Sequence, residues 1–277
     1  MIRYKYNDTC RIEEKTMKTN LRMLMGVLLA GGIILQGTVP ACAMEIQVDQ
    51  KLERVYGQYK NDAQFNYMLN DYGVEYSVNF LKDVQENELS MEQMRAGGGN
   101  NCYQHVTNIK QTKTYNCGST TVLQTLYGLN SAGNLKPKNG SNKEKIETLD
   151  KEYNVDSQGS IYVYQVRDAL NKYKSQGTNY TYVEGASISQ TQFEGKIANS
   201  LTSGKPVVLH AKTKYFAYYK GKNTGHYLSL DEIDRSAKKV RIVDCNYKDS
   251  YYGIHRDIPI KEAYNAVAAE NGRYLIY

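Results

Sequence analysis

The run QTKTYNCGSTTVLQTLYG, residues 111–128, decides how the chain is read. Val122, Leu123 and Leu126 share one side of a helical wheel and Gly128 stands near its end, so the spacing predicts a helix from about Cys117 to Tyr127. Its first residue is a cysteine, and a thiol ionises most readily at a helix N-terminus beside a histidine. A cysteine without such context is more often a small core residue. The choice between core and nucleophile therefore turns on what the rest of the chain supplies.

The chain holds four histidines: His105, His210, His226 and His255. His226, in NTGHYLSLDEID, follows a glycine turn and opens a predicted strand, where it faces a cleft. Eighteen residues on, Asp244 ends the strand VRIVD, placed to accept the imidazole N–H and fix its tautomer. Gln111 stands six residues before Cys117, and a short loop brings its amide back beside the sulfur as an oxyanion donor, together with the backbone N–H of Cys117. His210, inside VVLHA, reads as a satisfied strand histidine, and His105 and His255 have no evident partner.

Around this constellation the pattern is helices first and strands after. GSIYVYQVRDALNKYK predicts a helix capped by Ser160, and SQTQFEGKIANSLTSG one capped by Ser189 with Gln192 closing a capping box and Gly204 beyond its end. PVVLHAK, HYLSLDEID, KVRIVDC and RYLIY read as short strands, interrupted by the helix PIKEAYNAVAAENG. The class is α+β, with N-terminal helices packed on a C-terminal antiparallel sheet.

QTKTYNCG, GKPVVLHAK, TGHYLSLDEID and VRIVDCNYKD, in that order, resemble the papain-like cysteine peptidases of the bacteriocin-processing, double-glycine-cleaving type and their secreted relatives, over about residues 102–277. The resemblance implies a papain-like fold and a thiol protease with Gln111 in the oxyanion hole, Cys117 as nucleophile, His226 as base and Asp244 as its orienter. Cys245 stands where the family usually has proline. A cell-wall endopeptidase or acyltransferase with the same triad, or a non-catalytic secreted binding module, are the alternatives. The expected partner is a peptide or protein substrate, with no cofactor and no metal.

The N-terminal part carries its own signals. Lys18 and Arg22, an apolar stretch from Leu24 to Leu35 and the small residues Ala41-Cys42-Ala43 read as an export signal over residues 1–43, with Met17 as an alternative start. About twelve apolar residues are short for a membrane span, so no stable span remains after removal. Lipid attachment at Cys42 stays open, as does the choice between release and surface association. Export leaves Cys102, Cys117 and Cys245, an odd number, with a Cys102–Cys245 bridge one open pairing.

Residues 44–99 hold 5 Lys+Arg against 10 Asp+Glu, while residues 100–277 hold 24 against 16. The three glycines of AGGGNN mark the boundary between an acidic helical segment and the basic peptidase domain. ELSMEQMRAGGG, residues 88–99, also resembles a double-glycine leader through Leu89, Ser90, Glu92 and Met94, one residue short of the usual distance to Gly98-Gly99. The segment reads either as a pro-segment cut after Gly98 or Gly99, its own enzyme's substrate, or as a flexible linker. Basic residues scattered among acids, without a phosphate-binding glycine loop, speak against nucleic acid as a partner.

Overall fold

A computed structural model describes residues 50–94 and 101–277. The export signal, Cys10, Cys42 and Gly97–Gly99 lie outside the described residues.

The described residues divide into two compact units, one of residues 50–61 and 65–82, the other of 62–64, 83–94 and 101–277. Helix α1 (Gln50–Tyr59) and most of α2 (Ala63–Met94) make up what is described of the first. The helix α2 is interrupted at Gly73, whose φ of 81° is left-handed backbone that a residue with a Cβ adopts at a cost. Two helical pieces thus make up α2, within the segment the sequence marks as helical. Tyr59, Phe65 and Phe80 cluster in this unit, with the Tyr59 and Phe80 rings edge to face at 5.0 Å.

In the second unit the chain forms β1 (Asn101–Tyr103), α3 (Cys117–Gly128), α4 (Asn142–Glu152), α5 (Val155–Gln158), α6 (Val163–Tyr173), β2 (Tyr182–Glu184) and α7 (Gln190–Thr202). There follow β3 (Val207–Lys212), β4 (Gly225–Asp234), β5 (Lys239–Asp244), β6 (Gly253–Pro259), α8 (Ile260–Ala268) and β7 (Tyr274–Ile276). The strands form one antiparallel sheet in the order β2-β7-β3-β4-β5-β6, with β1 pairing the far end of β4. This is the expected α+β class. The four predicted strands and the four predicted helices of this unit are present, while α4, α5, β1, β2 and β6 are additions.

Alternation along the strands divides the core into two layers. Leu209, Leu228, Leu230 and Ile242 point into a cluster with Phe193 and Ile197 of α7 and Ala263 and Val267 of α8. The opposite face carries Tyr227 and Ser229 toward α3, with Ser229 Oγ donating to Gln124 Oε1 at 3.2 Å. Helix α3 is enclosed along almost its whole length, so it is an internal element.

Ser189 and Gln192 close the predicted capping box, with hydrogen bonds of 2.8 and 3.3 Å. Ser160 does not cap α6. The chain stays extended at Tyr162, the residue before the helix, and Gln165 Oε1 accepts the Tyr162 N–H at 2.9 Å. With no tryptophan and only 4 phenylalanines, tyrosine supplies much of the aromatic core, and its hydroxyls need partners. Tyr180 Oη donates to Pro206 O at 3.0 Å and Tyr227 Oη to Ile161 O at 2.9 Å.

Strand β4 has a bulge between Leu230 and Glu232. There the fully buried Asp231 accepts from Arg241 Nε at 2.7 Å, from Arg241 Nη2, and from the Val106 N–H at 3.1 Å. Among the described residues no helix is long and apolar enough to cross a membrane.

Candidate active site

Cys117 is the first residue of α3, as the spacing predicts, and Asn116 precedes it. Asn116 is fully buried and pins the approach: its Nδ2 donates to Thr112 Oγ1 at 2.9 Å and Asp150 Oδ2 at 3.1 Å, and its Oδ1 accepts from the Lys113 N–H at 3.0 Å. The loop from Gln111 to Cys117 is therefore fixed from inside. Gly118 lets the helix start approach the sheet, because a Cβ there would lie 2.1 Å from Ile161 Cγ2 and 3.0 Å from the Tyr227 ring.

His226 is the second residue of β4 and Asp244 the last of β5. The pairing of Ser229 with Val243, continued by one residue, sets Leu228 beside Asp244, and His226 two positions away faces the same side. His226 Nε2 and Asp244 Oδ1 are 2.9 Å apart, with the carboxylate fully buried. That bond leaves Nδ1 for the sulfur, and the imidazole is hydrogen-bonded to Cys117. Burial alone would push the Cys117 thiol up, but the His226 charge, the hydrogen bond to His226 and the backbone N–H groups of Tyr227 and Gly118 bring it below the ordinary thiol range. Burial likewise opposes a charged His226, yet Cys117 and Asp244 hold its pKa well above the usual imidazole value. The pair is therefore set up as thiolate and imidazolium.

Gln111 is buried beside them. Its backbone N–H donates to Cys245 O at 2.7 Å and its Nε2 to Lys113 O at 2.6 Å, which engages one of the two amide hydrogens. Gln111, Cys117 and His226 all line one cleft of about 320 Å³, together with Gly159, Ser160, Thr224 and Gly225. Lys222 and Lys248 stand on its walls, and Tyr115, Tyr219, Tyr247 and Tyr251 supply its aromatic surface. The four predicted residues are thus assembled: Cys117, His226 and Gln111 in the cleft and Asp244 behind them.

The other thiols behave differently. Cys102, Cys117 and Cys245 are all free, so the Cys102–Cys245 bridge is not formed. Cys102 Sγ lies 3.2 Å from Thr202 Oγ1. Cys245 Sγ lies 3.5 Å from Cys117 O and 3.5 Å from Thr121 Oγ1, and burial pushes its pKa up.

His210 departs from the expectation of a satisfied strand histidine. Its Nε2 accepts from Arg273 Nη1 at 2.9 Å, and its Nδ1 is enclosed with no partner among the described residues. Its ring stacks on Tyr227 at 4.5 Å. Burial and then Arg273 lower its pKa to about 3. The unfolded chain takes up a proton near pH 6.5 that the folded chain refuses, so this residue costs up to ~1.4 kcal/mol of stability per pH unit on descending from there toward its folded value. His210→Gln should lose less melting temperature between pH 7.5 and 5 than the native chain; equal losses would contradict this account.

Tyr218, Tyr219 and Asn246 gather around Asp244 and have no counterpart among the residues singled out in the sequence. Tyr219 Oη donates to Asp244 Oδ2 at 2.7 Å and Tyr218 Oη at 3.1 Å, while the Asn246 N–H donates to Oδ1 at 2.8 Å. They converge from a loop and a strand end 25 or more residues apart, without a local pattern to reveal them.

No curated protein sequence matches the chain. Among solved structures, prointerpain A of Prevotella intermedia is 14% identical with a TM-score of 0.44, over 72% of this chain and 81% of that one. Xylellain, a cysteine protease from Xylella fastidiosa, is 14% identical with a TM-score of 0.37, over 67% of this chain and 88% of that one. The model of the Peptidase_C39 like family matches residues 103–271, which contain all of the cleft. With that match over more than half its length, the chain belongs to the Peptidase_C39 like family and is a cysteine peptidase.

Proposed function

We propose that the protein is an exported peptidase in which Cys117, His226 and Asp244 are the catalytic triad and Gln111 an oxyanion donor. The observation that carries this reading is the thiol at the start of α3, lowered below its ordinary range and hydrogen-bonded to a histidine that Asp244 orients, at the floor of a cleft. The Cys117 thiolate attacks a peptide carbonyl, and the developing oxyanion meets Gln111 Nε2 and the Cys117 N–H. The His226 imidazolium gives its proton to the departing amine. Water, with its proton taken by His226, then releases the acyl group from sulfur and restores the thiolate–imidazolium pair.

The same reading makes residues 44–99 an acidic pro-segment of a zymogen, cut after Gly98 or Gly99 by its own or a sister molecule. Support comes from the leader-like run at residues 88–99 and from the unlike charge of the two segments. The cleft walls agree with this, since Lys222 and Lys248 have no carboxylate partner among the described residues and glycines flank the thiol. Export to the cell surface or the medium rests on the signal at residues 1–43.

Intact mass against time for purified 44–277, run beside Cys117→Ala, tests the reading. The native chain is expected to lose the 55 or 56 residues from Met44 to Gly98 or Gly99, and Cys117→Ala to stay whole. Two chains that both stay whole would return Gly97–Gly99 to a linker.

A further inference from the structure

We propose that Tyr218 and Tyr219 are positioning residues of the peptidase, a two-hydroxyl clamp that holds Asp244 turned so that Oδ1 faces His226. The inference rests on the triad reading above and concerns how that triad is kept in register.

Asp244 is fully buried and takes four donors, two per oxygen. Oδ1 receives His226 Nε2 at 2.9 Å and the Asn246 N–H at 2.8 Å. Oδ2 receives only tyrosine hydroxyls, Tyr219 at 2.7 Å and Tyr218 at 3.1 Å. A carboxylate at a strand end has a free χ2, and the His226 bond alone does not fix it. Donors on both oxygens do.

The tyrosines are themselves held. Tyr219 Oη accepts from Asn246 Nδ2 at 3.0 Å, its ring stacks on Tyr251 at 4.4 Å, and its edge meets His226 at 6.3 Å. The Tyr218 ring lies on His255 at 3.7 Å. Burial above all keeps both phenols protonated, so they remain donors across the working pH range. Their loop joins β3 to β4 and is closed at its base by Thr213, whose Oγ1 donates to Lys222 O at 2.5 Å and accepts the Thr224 N–H at 3.0 Å. The clamp is therefore built into the connection that also delivers His226.

The groups that share this electrostatic neighbourhood are Cys117 from α3, His226 from β4, Cys245 and Asn246 after β5, His255 from β6 behind Tyr218, Tyr251 behind Tyr219, and Lys222 and Lys248 on the cleft wall. His226 owes part of its raised pKa to Asp244. A carboxylate released from its clamp supports the imidazolium less, so the thiolate–imidazolium pair breaks up at lower pH and the basic limb of the rate profile moves toward neutral.

Peptide cleavage and iodoacetamide inactivation are measured against pH for the native protein, Tyr219→Phe, Tyr218→Phe and Asp244→Asn. Phenylalanine keeps the ring packing and removes only the hydroxyl. The expected result is a roughly 10-fold fall in kcat for Tyr219→Phe with KM unchanged, a smaller fall for Tyr218→Phe, and a basic limb displaced toward neutral in both. Impaired Asp244→Asn beside tyrosine variants with native kcat and native pH limbs overturns the clamp and leaves the triad standing. A lowered melting temperature with unmoved limbs overturns it equally, since that is a structural role. Full activity in Asp244→Asn removes the triad reading and the clamp with it.

Discussion

His226→Ala is expected to lower peptide cleavage about 10⁴-fold, the upper range for losing a general acid–base, and to change the chemistry of one of the three described thiols. In the native protein the imidazolium is what draws the Cys117 thiol down against the cost of burial. Without it only the backbone N–H groups of Tyr227 and Gly118 are left against burial, and the thiol rises. Iodoacetamide should therefore modify Cys117 rapidly at pH 6 in the native chain and hardly at all in the variant. Cys245, buried and shifted upward, and the buried Cys102 serve as internal controls. Peptide mapping after a short exposure gives the answer. Equal labelling of Cys117 in both proteins would mean that His226 does not activate the thiol, and the proposed mechanism would fall.

Arg241→Ala should be the most damaging single change to stability, at about 3–5 kcal/mol. It strands the Asp231 carboxylate, fully buried at the bulge of β4, with only the Val106 backbone N–H left to donate to it. For a domain of this size the loss corresponds to roughly 6–20 °C in melting temperature. Removing both charges in Asp231→Ala/Arg241→Ala should recover much of it, because the orphaned charge is the costly species and not the absence of the pair. A double variant no more stable than the single one would show that the side chains act mainly by filling space. Urea titration with an unchanged slope separates the two outcomes.

The parts of the fold legible in the sequence were those with a local signature. Cys117 begins its helix where Val122, Leu123 and Leu126 set the phase, and Ser189 with Gln192 announces α7 through a capping box. Helix α4 carries the same device in Ser141 and Glu144, with the Ser141 N–H donating to Glu144 Oε2 at 2.8 Å, yet only Ile146 and Leu149 mark its apolar side. Its charged surface hid the period. Strands β1 and β2 are three residues each, too short for alternation to register, and exist because β4 and β7 accept them as neighbours. Serine is a common cap, which is why the sequence points to Ser160, but Ile161 is drawn into the core and Gln165 does the capping at Tyr162.

The site divides in the same way. Gln111, Cys117, His226 and Asp244 could be placed together because their order and flanking glycines form a pattern, and the geometry brings them together. The tyrosine hydroxyls on Asp244 depend on a fold-level encounter that no spacing encodes. Cys245, which stands in place of a usual proline, leaves the local architecture workable because what the site takes from that position is its carbonyl, the acceptor for the Gln111 N–H. Proline offers the same carbonyl.

The strand order also sets a clock. Strand β7 lies between β2 and β3, yet about ninety residues of chain separate Glu184 from Tyr274. At a synthesis rate of roughly 5–20 residues per second, β2 waits on the order of 5–18 s for the strand it pairs with. During that interval the β3–β4–β5 hairpins that carry His226 and Asp244 already exist as sequence, but one flank of β3 is bare backbone. The sheet is closed by a piece inserted into its middle and not by one added to its rim, so a nascent peptidase holds the strands of His226 and Asp244 in an unfinished sheet until almost the whole domain has been made.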